Sequence, residues 1–133
     1  MQKMIGLDTN ILVRFFAQDD ASQSAKAEAL LQKLSPEDPG FISLVSIVEL
    51  AWVLRSLYQM SRADLVECLN RLLDSPELVV ENQTAVEQAL RQFANAKADL
   101  ADCLIERCGR VSGCRETVTF DKQAAKAAGM RLL

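Results

Sequence analysis

The sequence predicts an α/β fold in which a parallel sheet is covered by helices on both faces. Two observations support this prediction. Short apolar runs alternate along the chain with longer segments of helical periodicity, and the strands of a parallel sheet are apolar throughout because both of their faces are buried. Half of the 133 residues are hydrophobic, which is enough for the core of one domain that spans residues 1–133.

Five short apolar runs are predicted to be the strands. Each is bounded by a turn or by the polar start of a helix, and each is too short to be a helix of its own. The predicted strands are residues 3–7, 41–45, 78–80, 117–120 and 130–133, the last of them at an edge of the sheet.

The helices are predicted from polar side chains that can cap their first turns. Proline and glycine separate the elements, most clearly in the loop of residues 35–40 and at Gly113 and Gly129. A short helix at residues 10–16 follows the first strand. The other helices are predicted to begin at Ser22, Ser46, Ser61, Thr84, Asp99 and Asp121.

Composition excludes several classes of protein. The sequence has no run of about 18 apolar residues, so no transmembrane helix is expected. The N-terminal apolar segment is too short for a signal peptide and is interrupted by Asp8, which favours a cytoplasmic protein. The chain has four cysteines without a Cys-x-x-Cys pair, and it has no histidine. We therefore expect free thiols, no Cys/His zinc site and no histidine-activated nucleophile.

The formal net charge of −3 is unusual for a protein that binds nucleic acid, for which a basic surface is expected. If several of the acids hold a metal ion, the rest of the surface becomes weakly positive. The charge therefore neither establishes nor excludes nucleic-acid binding. A metal ion or a partner is expected to supply part of the attraction.

Two acids are lone charges in apolar surroundings. Asp8 is the only charged residue in positions 4–13, and Glu49 is the only one in positions 40–54. A carboxylate in such surroundings is costly unless it is hydrogen-bonded or bound to a metal ion. Each also has a structural interpretation: Asp8 as the N-cap of the next helix, and Glu49 as the third helical residue of a capping box that begins at Ser46. Both interpretations stay open on the local sequence.

Three further acids accompany the later elements. Asp99 and Asp102 are three residues apart and can share one helical face, and Asp121 directly follows the fourth predicted strand. The structural interpretations are N-caps for Asp99 and Asp121, and for Asp102 an acid that interacts favourably with the helix dipole. For the Asp99/Asp102 pair, helical periodicity alone favours a solvated face.

The joint placement of these acids is more informative than any one of them. Asp8, Glu49 and Asp121 follow predicted strands one, two and four, and the carboxyl ends of parallel strands share one edge of a sheet. Carboxylates brought together there repel one another unless a cation neutralises them. Oxygen ligands without Cys or His favour Mg²⁺ or Mn²⁺, which activate water and stabilise the charge on a phosphate under attack. We therefore expect the chemistry of a phosphodiesterase.

Four segments resemble, in order and spacing, the motifs of PIN domains. They are Asp8-Thr9-Asn10-Ile11-Leu12, Ser46-Ile47-Val48-Glu49-Leu50, Ala98-Asp99-Leu100-Ala101-Asp102-Cys103-Leu104-Ile105 and Thr117-Val118-Thr119-Phe120-Asp121. The resemblance covers essentially the whole chain. Among PIN domains, the chain is most similar to the VapC-type toxins of bacterial toxin–antitoxin pairs.

The resemblance implies a three-layer α/β/α sandwich around a parallel sheet of about five strands. It also implies endonucleolytic cleavage of RNA with Mg²⁺ or Mn²⁺ as cofactor. The implied catalytic and metal-binding acids are Asp8, Glu49, Asp102 and Asp121, with Asp99 as a fifth metal ligand. Asn10 and Thr119 would orient water or the ligands. Implied partners are an antitoxin protein that fills the active-site groove and a second copy of the chain, contacted through the helices of residues 46–73 with Trp52.

Five basic residues are candidates for contact with the substrate, although each is equally well explained as a surface charge. They are Arg14, Arg55, Arg107, Arg115 and Lys122. Charge reversal at a true phosphate contact weakens RNA binding and lowers its salt dependence.

Other carboxylate-based folds fit the sequence less well. A haloacid-dehalogenase-type phosphatase requires a second aspartate where this chain has Asn10, and a response-regulator receiver requires a phosphoacceptor aspartate where the third strand is followed by Glu81. The alternative that stays open is a PIN-fold binding module with little or no catalysis, which acts through a protein or nucleic-acid partner. A gene for a DNA-binding antitoxin directly upstream would favour the toxin.

Overall fold

The computed structural model of the chain describes residues 3–133. Met1 and Gln2, which belong to the predicted domain, lie outside the described residues. The chain divides into two compact units, Met1–Glu81 and Asn82–Leu133, and we describe each by itself.

The first unit contains a three-stranded parallel sheet and four helices. Its elements are β1 (Ile5–Gly6), α1 (Thr9–Ala17), α2 (Ala21–Gln32), β2 (Gly40–Ile42), α3 (Leu44–Ser56), α4 (Arg62–Leu73) and β3 (Leu78–Val80). The strand order is β1-β2-β3, with Gly6 opposite Phe41 and Phe41 opposite Val79. The carboxyl ends of the three strands therefore share one edge of this sheet.

The second unit contains three helices and two strands. Its elements are α5 (Gln83–Asn95), α6 (Leu100–Val111), β4 (Val118–Thr119), α7 (Lys122–Ala128) and β5 (Arg131–Leu132). β4 and β5 are parallel, with Val118 opposite Arg131. α7 ends at Gly129, whose φ of 76° is the left-handed conformation that glycine adopts without strain.

These elements confirm the predicted α/β fold class with parallel strands. All five predicted strands are present within residues 3–133. The third has the predicted bounds, the other four are shorter than predicted, and the five form one sheet of three strands and one of two. Strands this short hold few ladder hydrogen bonds, so most of the burial in each unit comes from the helices.

The predicted N-cap of the third helix is wrong by three residues. Ser43, and not Ser46, is the N-cap of α3: its backbone is extended, with φ −72° and ψ 157°, and its hydroxyl accepts a hydrogen bond of 3.1 Å from the amide of Ser46. Glu81 also accepts a hydrogen bond from the amide of Leu44, at 2.8 Å. Contact with the residue after β3 thus helps to set where this helix begins, and strand β2 ends earlier as a result.

Two other helices also begin earlier than predicted. Asp20, and not Ser22, caps α2 by accepting a hydrogen bond from the amide of Gln23. Asn82, and not Thr84, precedes α5 in a left-handed conformation with φ 53°, which asparagine tolerates better than most residues. The predicted starts at Ser61, Asp99 and Asp121 are confirmed.

Leucines contribute most to the core of the first unit, and alanines and leucines contribute most to that of the second. In the first unit, Leu12, Leu50, Leu54 and Leu65 are completely buried. In the second unit, the buried residues of α5 recur at helical spacing, and they are Ala85, Val86, Ala89, Leu90 and Phe93. None of the helices within residues 3–133 combines the length and apolar character that a membrane crossing requires.

Candidate functional site

The first group of predicted site residues lies where β1 ends and α1 begins. The amide of Leu7 continues the pairing with β2 by donating to the carbonyl of Phe41 at 2.9 Å. Asp8 is then the N-cap of α1, and its Oδ1 accepts a hydrogen bond of 2.7 Å from the amide of Thr9. The capping interpretation of Asp8 is therefore correct, yet its carboxylate is exposed and bonded through one oxygen, so it keeps the capacity to bind a ligand.

Glu49 is held by a contact between two helices. The hydroxyl of Thr9, at the start of α1, donates a hydrogen bond of 2.6 Å to Oε1 of Glu49 on α3. Because α3 begins at Leu44, Glu49 is its sixth residue, and the capping-box interpretation of Glu49 is wrong. Thr9 is only 8 % exposed, so its hydroxyl has one defined position and orients the Glu49 carboxylate.

A cavity of about 360 Å³ joins these residues. Its lining residues come from α1, from α3 and from the segments that flank them. They are Asp8, Thr9, Asn10, Val13, Arg14, Glu49, Val53, Leu57 and Tyr58. The first unit thus brings Asp8, Glu49 and Asn10 to one cavity, in which both carboxylates are exposed to a ligand from solvent. We call it the acidic cavity.

A third carboxylate at the same sheet edge has a structural role. Glu81 follows β3, and its Oε1 accepts a hydrogen bond from the amide of Leu44 at the start of α3. It does not line the acidic cavity. A negative charge at a helix N-terminus is stabilising, so Glu81 supports the helix that carries Glu49.

A network of polar side chains closes one side of the acidic cavity. Arg14 donates from Nη1 to Oδ1 of Asp19 at 3.0 Å and to the hydroxyl of Tyr58 at 3.3 Å, and the Tyr58 hydroxyl donates to the other Asp19 oxygen at 2.6 Å. The hydrogen bond from Tyr58 and the charge of Arg14 lower the pKa of Asp19. The same bond raises the pKa of Tyr58, because ionisation would place two negative charges side by side.

The second group of predicted site residues lies in the second unit, at the starts of α6 and α7. Asp99 occupies the N-cap position of α6, but its side chain makes no capping hydrogen bond. Asp121 caps α7 through Oδ1, which accepts from the amides of Gln123 and Ala124 at 2.8 and 3.3 Å. The Thr119 hydroxyl in turn accepts from the amide of Asp121 at 3.0 Å.

Asp102, in the first turn of α6, carries a charge that its surroundings disfavour. Burial raises its pKa, and the negative charges of Asp99 and Asp121 raise it further. Asp99 and Asp121 are therefore close enough to Asp102 to repel its charge. The ligand atoms that these three carboxylates offer are all oxygen, and a divalent cation would relieve the repulsion. The group therefore fits the ligand preferences of Mg²⁺ or Mn²⁺.

The arrangement is not by itself a complete set of metal ligands. Among residues 3–133, no three or more side chains of the types Asp, Glu, Cys and His converge closely enough to hold a metal ion. The five candidate acids form a pair in the first unit, Asp8 and Glu49, and a trio in the second, Asp99, Asp102 and Asp121.

The candidate substrate contacts differ in what holds them. Arg14 lines the acidic cavity. Arg107 donates to the buried carboxylate of Glu106, and Arg55 donates to the carbonyl of Met60, so both side chains have structural partners. The other two candidates, Arg115 and Lys122, are exposed, and Arg115 forms an ion pair of 3.8 Å with Glu116.

Three residues of the first unit were not predicted to belong to the site. Thr9 stands inside the first motif, between Asp8 and Asn10, and its hydroxyl was the available signal. Asp19 and Tyr58 carry no local signal, because they are 39 residues apart in the chain and their hydrogen bond is purely tertiary.

Comparison with known families agrees with this description. A model of the PIN domain matches residues 5–130, which include every acid of the pair and of the trio. Proteins with this domain have an α/β fold and are generally metal-dependent nucleases. No curated protein matches the chain.

Proposed function

Because the chain belongs to the PIN domain family, we propose that it is a metal-dependent endoribonuclease that hydrolyses phosphodiester bonds of RNA. The observation that carries this proposal is the acidic cavity, in which Asp8 and Glu49 are exposed to a ligand while Thr9 fixes the orientation of Glu49. Carboxylates on a wall that is open to solvent keep oxygen atoms available to bind a cation.

We propose that the metal is Mg²⁺ or Mn²⁺. Its proposed ligands are Asp8, Glu49, Asp102 and Asp121, with Asp99 as a fifth acid. The repulsion that Asp99 and Asp121 exert on Asp102 supports a cation at this group. When bound, such an ion would lower the pKa of a water molecule and neutralise charge on the phosphate.

The protein's own side chains would position these groups. Thr9 holds Glu49 at 2.6 Å, and the amides of the first turn of α7 hold Asp121, so neither carboxylate has to be ordered when a ligand arrives. Asn10 lines the acidic cavity with an amide that can both donate and accept, which suits it to orient a water molecule. Thr119 would act through Asp121, because its hydroxyl accepts a hydrogen bond from the backbone amide of Asp121.

We propose further that the whole chain is one PIN-like domain and the toxin of a type II toxin–antitoxin pair. An antitoxin protein would then cover the acidic cavity. A homodimer through α3 and α4 is supported by the exposure of apolar side chains on α3, since Val45 is 70 % and Trp52 60 % exposed. An RNA substrate agrees with the cytoplasmic location that the sequence predicts.

The test is RNA cleavage by the purified protein with Mg²⁺ or Mn²⁺, compared with Asp8→Asn and Glu49→Gln. Both variants are expected to lose more than the roughly 10–100-fold that removal of a group supporting a metal ligand costs, and a chelator is expected to abolish cleavage. Glu81→Gln is the matched control, because it changes a carboxylate beside a strand end that does not line the acidic cavity. It should cleave like the wild type.

The outcomes separate the proposal from its alternatives. Cleavage that is equal in wild type and Asp8→Asn would come from a contaminating nuclease and would refute the assignment. Tight RNA binding without metal-dependent cleavage would favour the binding module with little or no catalysis. Calorimetric titration with Mn²⁺ gives a readout that does not depend on turnover, and Asp8→Asn and Asp102→Asn should both weaken Mn²⁺ binding.

A further inference from the structure

A second cavity adjoins the acidic cavity in the first unit. It is a groove of about 290 Å³ between α1 and α2, which we call the α1–α2 groove. Its lining residues are Asn10, Ile11, Arg14, Gln23, Lys26, Ala27 and Leu30. Two of them are cationic and two carry amides, and none is acidic, in contrast to the wall of the acidic cavity.

Asn10 and Arg14 line both cavities. They lie on α1 four residues apart, so one face of that helix is common to the two spaces. A chain molecule that places one of its groups at Asp8 and Glu49 can therefore continue past Arg14 into the α1–α2 groove.

Arg14 is held in place by groups that leave part of its guanidinium available. Nε donates to the side chain of Gln23 at 2.7 Å, and Nη1 donates to Asp19 and Tyr58. Within the part of the chain that the structure describes, Nη2 donates to no protein group. These bonds fix the plane of the guanidinium, so a phosphate can be bound without a further loss of side-chain freedom.

Lys26 supplies the free positive charge of the groove. Asp19 partly neutralises Arg14, whereas Lys26 forms no ion pair with any described residue. Lys26 is exposed on α2 and has a flexible side chain, which suits a contact with the phosphate backbone rather than with a base. The small side chain of Ala27 beside it leaves the groove open.

We infer that the α1–α2 groove binds the phosphate backbone of single-stranded RNA next to the bond that is cleaved, with Arg14 as a phosphate contact of fixed orientation and Lys26 as an electrostatic contact. This inference rests on the proposed function, because it takes the acidic cavity as the place of cleavage. The change of charge along α1, from the carboxylates at its start to the cations beyond them, is the physical reason. A phosphate in the acidic cavity needs a metal ion, whereas a neighbouring phosphate in the groove meets cations of the protein.

The experiment measures binding of a fluorescein-labelled single-stranded RNA of mixed sequence to the Asp8→Asn protein in buffer with Mg²⁺. Fluorescence anisotropy is recorded at a series of salt concentrations, and the integrity of the RNA is checked afterwards. Lys26→Ala is expected to weaken binding about fivefold at 0.1 M salt and to reduce the salt slope by about 0.7, the value for one phosphate contact on a single strand. Lys26→Glu should weaken binding more strongly.

Lys33→Glu is the matched control. Lys33 follows the last residue of the same helix, is exposed and does not line the α1–α2 groove, so the same change of charge there should alter the affinity less than twofold. Arg14→Lys keeps a cation but loses the fixed guanidinium, and it should weaken binding less than Arg14→Gln. Thermal unfolding of each variant confirms that the fold is retained.

The groove and the proposed function can fail separately. If the wild type cleaves RNA but Lys26→Glu binds as tightly as its parent, the inference about the groove is overturned and the nuclease assignment stands. If Lys26→Glu weakens binding but the wild type does not cleave, the groove remains an RNA-binding surface and the nuclease assignment fails. If the Asp8→Asn parent does not bind the RNA, or if Lys33→Glu weakens binding as much as Lys26→Glu, the inference is overturned.

Discussion

The hydrogen bond between Thr9 and Glu49 allows a direct test of whether the acidic cavity is organised for metal binding. Thr9→Val removes the hydroxyl but keeps a side chain of the same shape and the same branching at Cβ. It leaves the 2.6 Å hydrogen bond to Oε1 of Glu49 unmade. The change is therefore confined to the group that orients one proposed metal ligand.

Two magnitudes can be compared for this variant. A hydrogen bond to a charged group contributes about 1.5–3 kcal/mol to folding when both partners are buried. Glu49 is exposed and can bond to water instead, and valine leaves no unpaired donor, so the expected loss in the free energy of unfolding is only about 0.5–1 kcal/mol. The loss of a group that orients a metal ligand costs roughly 10–100-fold in metal affinity, or about 1.4–2.7 kcal/mol. Metal binding should therefore suffer more than stability.

Urea unfolding measures the first quantity, and calorimetric titration with Mn²⁺ measures the second. Thr9→Ser is the matched control, because it retains a hydroxyl at the same position and should restore most of the affinity. If Thr9→Val binds Mn²⁺ as tightly as the wild type, or if Thr9→Ser loses as much affinity as Thr9→Val, then the hydroxyl does not orient a ligand and the reasoning fails.

Two further predictions concern charge. Asp102→Asn should raise the urea midpoint of the metal-free protein at neutral pH, because burial and the charges of Asp99 and Asp121 make the ionised Asp102 unfavourable in the folded state. Since the pKa of Asp102 is raised in the folded state, this gain in stability should disappear on acidification below its usual pKa of 3.8. A lower urea midpoint of the variant at neutral pH would contradict this prediction. Tyr58→Phe removes the hydrogen bond that lowers the pKa of Asp19 and raises that of Tyr58. The stability that this bond contributes is present between the two usual pKa values, 3.8 and 10.0, and is lost as the pH falls through the folded pKa of Asp19 or rises through that of Tyr58. Unfolding curves of wild type and variant should therefore differ slightly near neutral pH and converge at both extremes, whereas a difference that does not change with pH would refute the assignment.

Capping and ligand binding are not exclusive interpretations of an acid at a strand end. Asp8 and Asp121 both cap helices, and each does so through one carboxylate oxygen while remaining exposed. Asp99 occupies a cap position without using its side chain. Glu81 shows the opposite case, a carboxylate beside the sheet edge whose described contact is structural. The side-chain contacts of each acid, rather than its position after a strand, distinguish these cases.

The sequence by itself determined the order of strands and helices, because the signals for that order are local. Apolar runs, glycine at the end of α7 and capping side chains such as Ser61 act within a few residues of the chain. The same local signals placed Asp8 and Asp121 correctly at the starts of α1 and α7.

Only the tertiary structure decided which side chains meet. The bond from Thr9 to Glu49 spans 40 residues, that from Leu44 to Glu81 spans 37, and that from Tyr58 to Asp19 spans 39. Contacts of this kind depend on how helices pack on a sheet, which no local pattern specifies. For this reason the sequence predicted the acids of the candidate site, whereas the structure supplied the hydroxyl that holds Glu49 and the groove beside Arg14.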